Sequence, residues 1–204
     1  MKNIHYAPIS AAPKLHDEEV NSFLSQLCST LPRANNNPIL FAAIIATPLG
    51  SMLALADEQA LYFLDFLDHP KLERRVAKLQ KHTKSIIVQG STPMLDSIKQ
   101  ELDAYFATTL RTFTTPLALI GSTFQKETWQ ALLIIPYGIT ISYKALACSL
   151  SKPTAFRAVA NANGANNLAL IIPCHRVIAS DGSLGGYGSG VARKQKLIVH
   201  EQVL

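Results

Sequence analysis

Cysteine is scarce: the 204 residues hold three, Cys28, Cys148 and Cys174, an odd number with no CxxC spacing. Neither a disulfide framework nor a four-cysteine zinc site can be assembled from them, so each thiol is weighed alone. Cys28 and Cys148 sit among apolar, helix-like neighbours, where a free cysteine behaves as a small buried hydrophobe. Long apolar runs are lacking too. The longest, Ile39 to Thr47 and Leu168 to Pro173, fall short of the roughly 20 residues a membrane-spanning helix needs, and no membrane partner is expected. The opening residues MKNIHYAPIS have no apolar core of the kind a secretory signal carries. A nucleophilic thiol would be at risk in an oxidising compartment, so a cytoplasmic location, nuclear in a eukaryote, is expected.

What is present suits one compact domain or two small ones: 48% of the residues are hydrophobic and 16% charged, enough to bury a substantial core. The net charge of +5 is unevenly placed. Residues 1–122 carry eleven Lys/Arg and eleven Asp/Glu, whereas residues 123–204 carry eight against three. The whole excess belongs to the C-terminal segment, consistent with a polyanionic partner or with an ordinary basic surface.

Leu15, Val20, Phe23, Leu24, Leu27 and Leu31 recur at helical spacing behind acidic residues 17–19 and predict a helix over 14–31. The polar run at 33–38 then reads as a linker, so residues 1–37 form an extension with a helix. FAAIIATP, SMLALAD and ALYFLDF are short β-prone runs divided by turn residues and predict an antiparallel meander. A charged helix (71–82), a strand (SIIVQ) and an amphipathic helix (94–107) complete an α/β domain over 38–121, in which 38–110 shows no repeat and no catalytic motif. From Ser122 the chain reads as helical. FQKETWQALLII and ISYKALACSL are two helices, and Pro153-Thr154 opens a third, with Gly164 at its exit. Two helices joined by a four-residue turn on a basic segment make a helix-turn-helix candidate, though many helical hairpins bind nothing.

The stretch Leu168–Ile178 carries the chemistry: an apolar run delivers Cys174 beside His175 and Arg176. A thiolate is the nucleophilic form, and neighbouring cationic or proton-accepting groups favour it. Adjacency is not contact. In an extended segment neighbouring side chains point to opposite faces, so His175 needs a turn or a bridging water to reach the thiol. A Cys-His pair can also ligate a metal, but no second pair at ligand spacing exists.

IPCHRVI, followed by GGYGSG and KLIVHE, resembles the active-site region of the O6-alkylguanine-DNA alkyltransferase family. The likeness covers about 80 residues, from FQKETW at 124–129 through IPYGITISY and KPTAFRAVANAN to His200-Glu201. It is nearest in character to the C-terminal half of bacterial adaptive-response alkyltransferases. The resemblance implies a ribonuclease-H-like α/β N-terminal domain and a mainly helical C-terminal domain, 122–204, bearing a helix-turn-helix. It implies direct, single-use transfer of an alkyl group from O6-alkylguanine, and less so O4-alkylthymine, in double-stranded DNA to Cys174.

The same resemblance assigns residues. His175, through a water, would withdraw the thiol proton, and Glu201 would orient that His. Asn166 would tie the helix-turn-helix to the active-site strand. Many relatives carry Pro at the following position, here Asn167, which suggests a looser hinge. Tyr187 would contact the guanine, and Ser189 would stand at the wall of the alkyl pocket. Because a stacked base cannot be reached, the nucleotide must be flipped out. Arg157 would fill the vacated place, Tyr143 would turn the 3′ phosphate, and Lys144, Lys152 and Ser180 would hold phosphates. No metal, cofactor or partner other than DNA is implied, and the chain is expected to be a monomer. A lesion-binding protein without transferase activity would lack Cys174, and a thiol redox enzyme would want a resolving cysteine, which the spacing does not offer.

Overall fold

The computed structural model describes residues 17–28 and 37–202. Its N-terminal half is built on a four-stranded sheet. Strands β1 (Ile39–Thr47), β2 (Gly50–Ala56) and β3 (Leu61–Phe66) form the expected meander, and β4 (Ile86–Gln89) lies parallel to β1, giving the order β3-β2-β1-β4. Alternation along β2 sends Met52, Ala54 and Ala56 into one apolar cluster and Leu53 and Leu55 into another, as the two-residue period of a strand requires. A sheet buried on both faces therefore serves two cores.

Helices α1 (Asp17–Cys28) and α2 (Leu72–Thr83) supply one of those cores, with Leu24, Leu72, Val76 and Leu79 packed on Leu53, Leu55 and Phe63. The expected first helix is thus present over its middle, and its predicted ends and most of the linker lie outside the described residues. The opposite core takes Leu95, Ile98 and Leu102 of α3 (Pro93–Phe106) together with Trp129, Leu132, Leu168, Ile172 and Leu197 from the C-terminal half. One continuous core joins the sheet to the helical segment.

That segment contains α4 (Thr123–Leu133), α5 (Tyr143–Ser149), α6 (Phe156–Gly164) and α7 (Val191–Gln202), with a small parallel pair β5 (Ile141–Ser142) and β6 (Val177–Ile178). A capping box starts α4: Gln125 N donates to Ser122 Oγ (3.3 Å) and Ser122 N to Gln125 Oε1 (2.9 Å). Three expectations need correction. Residues 141–142 are strand, because Ser142 caps α5 by accepting from Ala145 N at 3.0 Å. The link between α5 and α6 is six residues, 150–155, and Pro153-Thr154 lies in it ahead of α6. After α5 the chain closes with Lys152 N donating to Ala147 O and Ser151 N to Cys148 O, with Ser151 left-handed at φ 57°; a further turn, Ala155 N donating to Lys152 O, then takes up residues 153–155 before α6 begins. Finally, Gly164 is the last residue of α6 and has no positive φ, so it supplies no left-handed exit.

The active-site segment is held by the sheet itself. Leu64 N donates to Asn167 O and Ala169 N donates to Leu64 O, both at 2.8 Å, so residues 167–169 pair with the outer edge of β3. An edge that would otherwise expose unpaired backbone becomes the ledge from which Cys174 is presented.

Candidate active site

Cys174 opens a single 3-10 turn, Cys174–Arg176, that follows the buried run Leu168–Pro173. Its Sγ accepts a hydrogen bond from Asn166 Nδ2 (3.2 Å), and the same amide group donates to Ile172 O (2.9 Å), while Leu168 N donates to Asn166 Oδ1 (2.9 Å). Asn163, on α6, donates to Cys174 O at 3.2 Å. Two asparagines thus fix the turn from the helical side. The thiol looks into a cavity of about 350 Å³ whose wall includes Tyr143, Asn161, Asn166, Tyr187, Gly188 and Ser189, a volume at the low end for small-ligand sites.

Behind the thiol lies a buried charge network. His175, fully buried, shares a hydrogen bond of 2.8 Å between Nε2 and Glu201 Oε1. Glu201 also accepts from Tyr105 Oη (2.9 Å), Arg176 Nε (2.8 Å), Arg176 Nη2 (3.0 Å) and Gly138 N (3.1 Å). Gly138 has φ 76°, and a Cβ there would meet Glu201 O at 2.8 Å, so the turn Pro136-Tyr137-Gly138 needs glycine to come this close. Burial opposes the Glu201 charge, but its hydrogen bond with His175, then the hydrogen bonds and charge of Arg176, hold its carboxyl well below the ordinary range. Burial lowers the His175 pKa despite Glu201. A neutral ring facing a carboxylate donates from Nε2, which leaves Nδ1, buried and without a hydrogen-bond partner, as the basic nitrogen.

The thiol rests protonated. Burial pushes it above the usual cysteine value, Asp65 adds to that, and the Asn166 hydrogen bond with the charges of Arg75 and Lys194 pulls the other way. Arg176, adjacent in sequence, is not among these cations. Its guanidinium turns to Glu201 and to Ile135 O (2.6 Å), so its place beside Cys174 in sequence does not bring its charge to the thiol.

Three site residues were missed in the sequence. Lys194 on α7 is fully buried, donates to Val177 O (2.5 Å) and Leu184 O, and has its pKa lowered by burial to about 8 with Cys174 opposing. Its signal was a lysine three and seven residues before Leu197 and Glu201, on the buried face of the helix. Asp65, in the strand run ALYFLDF, accepts from Ser189 Oγ (2.8 Å) and lies 2.8 Å from Arg75 Nη1, a charge pair more than a directed bond. Arg75 in turn donates to Asn167 Oδ1 from Nε (3.3 Å) and Nη2 (3.1 Å) and to Asn166 O. The hinge expected to be loose at Asn167 is clamped by an arginine from α2.

Of the residues anticipated in the sequence, Cys174, Asn166, Tyr143, Tyr187 and Ser189 share the cavity, whereas His175 and Glu201 are outside its wall and bonded to each other. Lys144, Lys152, Arg157 and Ser180 are exposed and outside its wall. Lys152 is paired with Glu127 at 2.5 Å, and the Arg157 guanidinium stands 5.7 Å over the Phe156 ring. Cys148 is exposed, contrary to expectation, because α5 buries Leu146 and Ala147 instead; the Cys28 side chain lies outside what is described.

Residues 40–119 match the family model described as 6-O-methylguanine DNA methyltransferase, ribonuclease-like domain, and residues 123–203 the model of its DNA binding domain. A methylated-DNA–protein-cysteine methyltransferase of Methanosarcina barkeri is 41% identical over 163 residues, 80% of this chain and 98% of that protein. The regulatory protein ada of Salmonella typhimurium is 56% identical over 86 residues, 42% of this chain and 24% of that protein. In three dimensions the chain is similar to Mycobacterium tuberculosis OGT in complex with DNA, with TM-score 0.68 and 36% identity over 80% of this chain and 92% of that one.

Proposed function

The chain belongs to the 6-O-methylguanine DNA methyltransferase family, and from that premise we propose how it carries out direct repair of alkylated DNA, with Cys174 as the acceptor. One observation carries the assignment of the acceptor. Among the described residues Cys174 is the one buried free thiol, and it opens into the cavity.

The substrate is O6-alkylguanine in double-stranded DNA, with O4-alkylthymine a lesser one. A helix-turn-helix formed by α5 and α6 docks on the duplex. Arg157 enters the stack in place of the target nucleotide, Tyr143 turns its 3′ phosphate, and Lys144, Lys152 and Ser180 hold backbone phosphates, Lys152 exchanging Glu127 for one. An exposed pair such as Lys152–Glu127 contributes little and is readily exchanged. The flipped base then lies against Tyr187, with its alkyl group toward Ser189 and the thiol.

The proton of Cys174 passes through a water to His175 Nδ1, and Glu201 stabilises the imidazolium that forms. The thiolate pair forms the S–C bond as the C–O6 bond breaks in line, and its electrons leave on the guanine, which then takes up a proton. A thioether has no group to expel, so the chain acts once. No cofactor is required. The division into 38–121 and 122–204, a monomeric state and an intracellular location that keeps the thiol reduced complete the reading.

Cys174→Ser tests it. A hydroxyl is far less acidic than a thiol, so this variant retains a duplex containing O6-methylguanine and removes no methyl, whereas Cys148→Ser repairs like the unaltered chain. Demethylation by Cys174→Ser would contradict the assignment.

A further inference from the structure

Positions 71, 75, 78 and 82 follow at intervals of four, three and four, which places them on one stripe of α2. All four are basic: Lys71 at its N-terminal boundary, then Arg75, Lys78 and His82. The helix has a single acid, Glu73, which lines a neighbouring pocket and not this stripe's cleft, Lys71 bordering both. The stripe forms one wall of a cleft of about 550 Å³ between α2 and the start of α4, where Ser122 and Gln125 stand. No Asp or Glu lines this cleft among the described residues, and the positive end of the α4 dipole faces it. Lys71 and Lys78 are exposed and form no ion pair among the described residues.

The cleft adjoins the cavity that holds Cys174, since Arg75, Gly164 and Gly188 border both. From position 71 to 82 the helix rises by roughly 16 Å, enough to follow several phosphates of one strand, which are spaced about 3.4 Å along the duplex axis. Gly164, at the end of α6, has open space where a Cβ would be, so backbone there can be approached closely.

We propose that Lys71, Lys78 and His82 on α2 are a second DNA contact, holding the phosphate backbone beside the cavity mouth. The inference rests on the repair reading above. It makes the sheet domain part of the nucleic-acid surface, although its overall charge is balanced. Arg75, engaged with Asp65 and Asn167, anchors the stripe to the active-site segment.

The test compares the unaltered chain with Lys71→Glu/Lys78→Glu and Lys71→Arg/Lys78→Arg. Affinity for a labelled undamaged duplex is followed by anisotropy across a salt series, and single-turnover methyl transfer is followed at saturating lesion duplex. Charge reversal should weaken binding by about tenfold or more near 0.1 M salt and lower the slope of log K against log salt by about two. The arginine pair should bind like the unaltered chain, and the saturating rate should not change in either. Equal affinity and slope in the reversed variant would overturn the proposal, as would a fallen saturating rate with an unchanged slope, which marks α2 as structural only. An unaltered chain that bound no duplex would remove the repair reading as well.

Discussion

Glu201 serves four partners at once. It orients His175, neutralises Arg176, and accepts from Tyr105 and from the Gly138 amide, all while almost wholly buried. Removing one partner of a buried ionic group leaves the other uncompensated, at a cost of about 3–5 kcal/mol. Glu201→Gln should therefore unfold at lower denaturant by about that amount and lose most of its transfer rate, measured by urea titration and single-turnover repair. The pH dependence has a defined sign. Because the folded carboxyl titrates below its unfolded value of about 4.3, its contribution is present above pH 4.3 and fades as pH falls toward the folded value. The stability difference between the chain and Glu201→Gln should shrink as pH is lowered from 5. Lys194 has a consequence of the same sign in a higher pH window. With its folded pKa lowered to about 8 from 10.5, the unfolded chain binds the extra proton between those values, so this residue's contribution to stability rises with pH across that window. Lys194→Met should lack that rise in denaturation measured from pH 7.5 to 10; an identical profile would show that the ammonium is not desolvated.

At the scale of elements, the loop 185–190 and the turn 174–176 are clamped from both halves of the chain. A Cβ at Gly188 would stand 2.7 Å from His69 Nε2, and His69 is itself buried. Gly188→Ala should destabilise by about 1–3 kcal/mol through overpacking and slow transfer by displacing Tyr187 and Ser189. Unchanged melting would place the loop farther from His69 than it stands here. Ser189 bears on alkyl size. Being small, it leaves room for a bulky group, so free O6-benzylguanine should inactivate the chain and Ser189→Trp should resist it. Its hydroxyl also donates to Asp65, so Ser189→Trp should lose stability as well. Equal benzylguanine sensitivity of the two would move the pocket wall elsewhere.

Much of this was legible before any coordinates. Alternating runs gave the meander, helical spacing gave α2 to α4, and Cys174 stood out by its His neighbour. Glu201, Arg157 and Tyr143 were visible only through the family resemblance, because a lone carboxylate near a helix end or an arginine on a helix carries no local signal. Asp65, Arg75 and Lys194 were not legible at all. Their meaning lies in contacts with Ser189, Asn167 and Val177, and two of those partners are about 90 or more residues away. The misreading at Asn167 has the same origin: the loss of proline was visible in the sequence, and the arginine that clamps the position was not.

For the whole molecule, the sheet is more than a support for the helical half. One of its faces shares the core that carries Leu168, Ile172 and Leu197, its β3 edge pairs with residues 167–169, and Asp65 and Arg75 border the reactive cavity. Both halves therefore contribute to the wall of the cavity into which the thiol opens. An arrangement of this kind, with no means to cleave a thioether, is consumed by its reaction. Intact mass and peptide mapping after incubation with excess O6-methylguanine duplex test this most directly. The account predicts a gain of one methyl group per molecule, carried by Cys174, with repaired lesions equal in number to protein molecules. A methyl group on Cys148 or Cys28, or one molecule clearing many lesions, would contradict it.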